Sequence, residues 1–270
     1  MNYDISFITH AVEIILAIQV IIATAELLTL HESYSDYGLF SWKVQRMGPR
    51  LKVQVKKLRL DFLCKYPNVL AVLIIRLISA IAIPLLIISN HSILLPLLLV
   101  TAISLVMQVR NSQSNDGSDQ LPVICFIALL LADIIGTDLG RSIALIFIAA
   151  QASLAYGISG FLKMQKKGWY NGEYVTAVLR TSSYGDKYVH KVALKQPLLA
   201  KALGLAVIYG DAVLAFSFTF PPFICSCILI FGIGLHIGIA RIMGLNTFLW
   251  SYVATYPALF YLSGMLYSFI

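Results

Sequence analysis

Charge is what this chain has least of. Only 12% of its 270 residues are Asp, Glu, Lys or Arg, against about 25% in an ordinary soluble domain. Cysteine is sparse as well: Cys64, Cys125, Cys225 and Cys227 are the only four and include no CxxC pair. A zinc site or a disulfide framework needs closely spaced or paired thiols, so neither is supported. No internal repeat or low-complexity tract is visible, so the inverted-repeat signature of many secondary transporters is missing too. What is present is apolar: 59% of residues are hydrophobic, with a mean hydropathy of +0.83.

A membrane-crossing helix needs about 20 apolar residues. Eight stretches are predicted to serve, at residues 7–30, 69–89, 93–109, 121–135, 142–162, 198–218, 223–240 and 247–269. The third is marginal and the fourth short, which leaves seven open. The triplet Ala23-Thr24-Ala25 imitates a signal-peptidase site. However, the first ten residues carry no Lys or Arg and include Asp4, so a retained first helix is expected. The expected fold is an all-α, polytopic membrane helix bundle over residues 1–270, a single transmembrane domain with one or two interfacial helices.

Lysines and arginines are sorted by side. Alternate connections hold eight (Lys43, Arg46, Arg50, Lys52, Lys56, Lys57, Arg59, Lys65), one (Arg110), seven (Lys163, Lys166, Lys167, Arg180, Lys187, Lys191, Lys195) and one (Arg241). That is seventeen of the twenty, and the opposite face holds only Arg141. The positive-inside bias then makes the basic loops cytoplasmic and places both termini outside. The net charge of +7 is explained by the anionic leaflet, where each basic residue gains on the order of 1 kcal/mol. The lipid bilayer is the expected partner and nucleic acid is not.

Two connections are long, 31–68 and 163–197. In the first, Leu51, Val55, Leu58 and Phe62 recur at helical spacing among basic residues. That pattern suits either an amphipathic surface helix or a solvated basic loop. Trp42 and Tyr66 suit an aromatic belt at the membrane edge. Elsewhere Asn90-His91 and residues 137–140 form tight turns, and Pro221-Pro222 interrupts a helix.

Charges within spans mark interiors or wet cavities, and Glu13, Glu26, Arg76, Asp133, Lys201 and Asp211 qualify. Glu26, Arg76 and Lys201 lie close enough to span ends to snorkel. Asp211 is deeper, either functional or a carboxylate paired for packing, with Arg76 one possible partner. His236 is a lone imidazole in a span, a partner for chemistry or a hydrogen bond to a neighbouring helix. The densest element runs from Tyr156 to Tyr174: Lys163 ends an apolar helix, and Trp169-Tyr170 follow at the membrane boundary. A partly desolvated lysine there can act as a base. Lys163, His236 and Asp211 are therefore the candidate catalytic groups. Tyr156, Trp169 and Tyr170 are candidate substrate contacts, with the aromatic pair on a short helix reaching about Leu179 as a lid.

The stretch Ser159-Gly160-Phe161-Leu162-Lys163, followed by Trp169, Gly172 and Tyr174, resembles the signature of the HTTM superfamily. That group includes vitamin K-dependent gamma-carboxylase and bacterial membrane proteins similar to the sporulation-delaying toxin maturation factor. The polar run Asn115–Gln120, and His236 with Met243–Phe248 and Tyr256-Pro257, fit the same pattern, so the resemblance covers about 110–262. It implies that Lys163 corresponds to the carboxylase's catalytic base, with a membrane quinone as possible cofactor. It also implies a role in maturing or handling a small secreted peptide, alone or with other membrane subunits. Gly117 stands where the carboxylase has a histidine, and the carboxylase's large extra-membrane domain has no counterpart, so gamma-carboxylation itself is not expected.

Overall fold

A computed structural model describes residues 4–47, 60–111 and 115–268. Every regular element among them is helical. The chain divides into two compact units, Thr9–Ala144 and Leu145–Ile270 with the start of the first helix. The first unit holds α1 (Ile5–Thr29, which begins outside it), α2 (Trp42–Gln45), α3 (Asp61–Cys64), α4 (Asn68–Ile88), α5 (Leu94–Arg110) and α6 (Gly117–Ile135). Helix α7 (Asp138–Met164) crosses the boundary. The second unit continues with α8 (Lys167–Tyr170), α9 (Glu173–Arg180), α10 (Lys187–Lys195) and α11 (Pro197–Ala215). It closes with α12 (Pro222–Met243), α13 (Asn246–Val253) and α14 (Tyr256–Tyr267).

Six described helices, α1, α4, α6, α7, α11 and α12, are long and apolar enough to cross a membrane, and α5 is a shorter apolar helix of 17 residues. The protein is an all-α, polytopic integral membrane protein. The long helices turn apolar residues outward: on α12, Phe223, Ile230 and Ile237 are exposed at seven-residue spacing, while Cys225, Leu229, Gly232 and His236 face inward. Such an inverted surface is stable only in lipid.

Local chemistry sets the ends. At α6, the Asp116 carboxylate accepts from Ser118 N (2.7 Å) and Asp119 N (3.3 Å), and the Asp119 carboxylate accepts from Asp116 N (3.2 Å). This reciprocal box satisfies otherwise orphaned donors. Gly136, at φ 68°, ends the helix in the left-handed conformation. The Asn90 turn takes φ 55°, which Asn tolerates better than most residues.

The eighth predicted span is not one helix. It breaks between α13 and α14 because Pro257 has no N–H for the Val253 carbonyl four residues back, and its ring crowds that carbonyl. The proposed amphipathic helix falls on Leu51, Val55 and Leu58, outside the described residues; Phe62, at its end, is exposed.

Three further expectations in the first unit change. Trp42 is 2% exposed rather than in an aromatic belt, and its indole Nε1 donates to Asp61 Oδ1 at 2.8 Å. Arg110 is fully buried rather than a headgroup-facing loop charge. Arg76 does not snorkel: it is buried, and its Nε donates to Ser104 Oγ at 3.2 Å. Glu13 is also buried, bonded to His10 Nδ1 at 2.8 Å, whereas Glu26 and Lys201 are exposed, as snorkelling requires.

Candidate functional site

Helix α7 carries Tyr156, Ser159 and Lys163 three and four residues apart, so the three side chains share one face. Opposite stands Asp211 of α11, buried at 6% exposure. The helices meet closely because Gly160 has no side chain: a Cβ there would lie 3.2 Å from Asp211 Cβ. The Lys163 ammonium donates to Asp211 Oδ2 (2.6 Å) and to Ser159 Oγ (2.5 Å), and Ser159 Oγ donates to the same Oδ2 (2.9 Å). One carboxylate oxygen thus serves both donors. Lysine and serine also touch, which closes a three-membered ring of exchangeable protons.

Two turns earlier on α7, Tyr156 opens a second network. Its hydroxyl lies 2.7 Å from His236 Nε2 of α12 and 2.9 Å from the Tyr256 hydroxyl of α14. The imidazole stacks on Tyr252, with ring centroids 4.9 Å apart and planes 12° apart. If Nε2 is bare, Tyr256 donates to Tyr156 and Tyr156 donates to the imidazole. If Nε2 is protonated, it donates to Tyr156, whose own proton is then free for Tyr256. In both cases His236 Nδ1 is buried without a hydrogen-bond partner among the described residues. Gly232 lies one turn before His236, where a Cβ would strike the Tyr256 hydroxyl and Leu214.

The two networks share helix α7. Asp211 is close enough to Tyr156, and Lys163 to His236, for electrostatic influence. His236 is therefore bonded to Tyr156, and Lys163 finds its direct partners in Ser159 and Asp211. Asp211 is paired with Lys163, not with Arg76. The Lys163 side chain is 23% exposed, so it points into the helix bundle with limited access at its tip.

Trp169 lies over that tip, with the ammonium 5.7 Å from the ring centroid, within cation–π range. Tyr174 meets the indole edge-on, 5.9 Å away at 89°. The segment sits on α11 only because two positions are glycine: a Cβ on Gly204 would strike the Trp169 carbonyl oxygen, and one on Gly172 would lie 2.6 Å from the Ala200 and Lys201 backbone. Gly172 also takes φ 81°, which L side chains rarely adopt. The expected single helix to Leu179 is two, α8 and α9, parted at this glycine. Tyr170 is half-buried and takes no part in the cluster.

No family model, curated protein or solved structure matches the chain. The site therefore rests on its geometry.

Sequence reasoning placed Lys163, Asp211, His236, Tyr156 and Trp169, and all five fall in these networks. It assigned no role to Ser159, Tyr252 or Tyr256. Ser159 stands four residues before Lys163, a helical spacing that was available as a signal; the tyrosine contacts depend on how α13 and α14 fold back. Among the described residues, no group of three or more His, Cys, Asp or Glu side chains is arranged to hold a metal ion. An apolar groove of about 460 Å³ runs between α11 and α12, lined by Tyr209, Gly210, Val213, Cys227 and Phe231 among others. Its exposed lining is almost wholly apolar, which suits a hydrocarbon chain.

Proposed function

We propose that this is a membrane-embedded acid–base enzyme of the HTTM kind, acting on a small peptide on its way to secretion. Lys163 becomes the base once its proton passes to the Asp211 carboxylate, with Ser159 bonded to both, and Tyr156, His236 and Tyr256 form a relay deeper in the bundle. The observation that carries this reading is the shared face of α7, which places the Lys163–Ser159–Asp211 ring and the Tyr156–His236–Tyr256 chain on consecutive turns. A hydrogen-bonded series of groups that can each give and take a proton is what general acid–base chemistry needs. Trp169 restricts access to the lysine and provides an aromatic surface for substrate. The orientation belonging to this reading has the basic loops, and hence Lys163, on the cytoplasmic side of a bacterial inner membrane, with the termini outside. The HTTM reading itself is supported by the stretches around Lys163, Asn115–Gln120 and His236.

One observation favours a second reading, a non-catalytic subunit. The Lys163–Asp211 pair is short and satisfied from within, and a buried ion pair of that kind can serve packing alone. Lys163→Arg separates the two readings. Arginine retains the charge and can still face Asp211, but it does not deprotonate in proteins. Cells carrying Lys163→Arg, Asp211→Asn or His236→Ala would be compared with the parent by mass spectrometry of their secreted peptides. The enzyme reading requires the same processed species to disappear in all three. An unchanged profile in Lys163→Arg leaves the packing reading.

A further inference from the structure

Helix α10, just before the span α11, has one face that the Lys163 site does not use. The helix is capped by Asp186, whose carboxylate accepts from Tyr188 N and Val189 N, both at 2.8 Å. Val189 and Ala193 turn inward and pack against Leu179 of α9 and Ala200 of α11. Lys187, Tyr188, Lys191, Leu194 and Lys195 turn outward, and all five are exposed. At 3.6 residues per turn these five span about 120° of the helix circumference.

The mixture on that face is informative. Tyr188 is 76% exposed and Leu194 61%, interleaved with three lysines. A face turned to water has little use for exposed tyrosine and leucine, and one turned to the bundle would not display three ammonium groups. Lysines flanking apolar and aromatic side chains are the pattern of a helix lying at a membrane surface. Chain continuity supports that location: Gln196 alone separates α10 from α11, whose Leu198 is 81% exposed. The nearest acidic side chain, Asp186, is engaged with the helix N-terminus, so no carboxylate on α10 offsets the three lysines.

We propose that the outer face of α10 docks on anionic phospholipid headgroups of the leaflet where α11 enters. Lys187, Lys191 and Lys195 meet the phosphates, and Tyr188 and Leu194 enter the boundary with the acyl chains. Docking also steadies the segment above Lys163, because the inner face of α10 holds α9, and α9 packs on α8 and α11. This assignment is independent of the catalytic reading.

The test is amide hydrogen exchange of residues 187–195, followed by mass spectrometry, in nanodiscs of phosphatidylcholine and of an equal phosphatidylcholine–phosphatidylglycerol mixture. Exchange should slow about tenfold or more in the anionic discs, and added salt should reverse part of that gain. The triple variant Lys187→Glu, Lys191→Glu, Lys195→Glu should lose the dependence on lipid charge while α11 and α12 exchange as in the parent. Tyr188→Ser with Leu194→Ser retains the charge and should show weaker protection that still depends on lipid charge. Equal exchange in both lipids, or undiminished protection in the Glu variant, would overturn the proposal. Protection that follows the number of chains per disc, whatever the lipid, would assign the face to a second copy and overturn it as well.

Discussion

Each unit holds a cation at the end of an apolar helix, Arg110 fully buried and Lys163 partly so, and each answers it differently. In the first unit Arg110, the last residue of α5, donates through Nε to the Cys64 carbonyl (3.1 Å) and through Nη2 to the Phe40 carbonyl (3.0 Å). Nη1 donates to Asn111 Oδ1 (3.1 Å), and the guanidinium lies 4.4 Å from the Tyr34 ring centroid. Nothing in that shell accepts a proton, so Arg110 is a staple that ties the loop at Phe40 and the end of α3 to α5. In the second unit Lys163 meets a carboxylate and a hydroxyl, both able to exchange protons. Guanidinium is planar and permanently charged, which suits fixed acceptors, whereas an ammonium can give up its proton. A cation at a helix end is common to both; the chemistry of the partners sets them apart.

The largest contrast should come from removing each cation. Lys163→Met leaves Asp211 buried without its counter-ion and should cost about 3 kcal/mol or more, whereas Lys163→Met with Asp211→Leu should regain most of it. Thermal unfolding in detergent reads both. A double variant no more stable than the single would mean that the ion pair does not organise this part of the bundle. On the proposed acid–base reading, Lys163→Arg should lower formation of the processed peptide by about 100-fold or more with little change in stability.

Arg110→Met should cost about 2–3 kcal/mol, since it takes the donor from the buried Cys64 carbonyl and the part-buried Phe40 carbonyl and removes the contact with Tyr34. Arg110→Lys should not restore the loss, because one ammonium cannot span both carbonyls. Full recovery with lysine would show that charge alone is required there, and the comparison would collapse.

A smaller effect is expected at the lid. Gly172→Ala forces a Cβ into the Ala200–Lys201 backbone at a positive φ, costing about 1–3 kcal/mol if the fold holds. Tryptophan emission should shift as Trp169 leaves Lys163. Unchanged emission would mean that the segment accommodates the methyl without moving.

The smallest effect is a pH response confined to the Arg110 side. The Trp42 indole first, and then Arg46, hold the Asp61 carboxyl below its ordinary value of 3.8. A depressed carboxylate contributes its stability above the unfolded-state value, and that contribution fades as pH falls through the lower folded-state value. Trp42 emission should therefore be flat near neutrality and change only in acid below the ordinary carboxylate range. Asp61→Asn should abolish the transition. A transition at the same pH in that variant would assign it to another group.

Much of the site was legible in the sequence because charges in apolar spans are rare and therefore visible: Lys163, Asp211 and His236 stand out against their neighbours. Ser159 and Tyr256 entered only as parts of the family resemblance, since hydroxyls are unremarkable in membrane helices and gain a role only from what lies opposite. Trp42 and Arg110 were misread for a related reason. An aromatic or basic residue at the end of a span looks interfacial until a loop folds over it.

What the sequence determined alone is the membrane fold: the long apolar runs leave no alternative to helices, which satisfy their own backbone hydrogen bonds. The α7 face was also implicit, because residues three and four apart on a helix must be neighbours. Tertiary structure decided which cation meets which partner. Asp211 could have faced Arg76 or Lys163, and the near approach of α11 to α7 at Gly160 gave it to Lys163. Pairing between helices distant in sequence is set by packing, on which the pattern within one helix is silent.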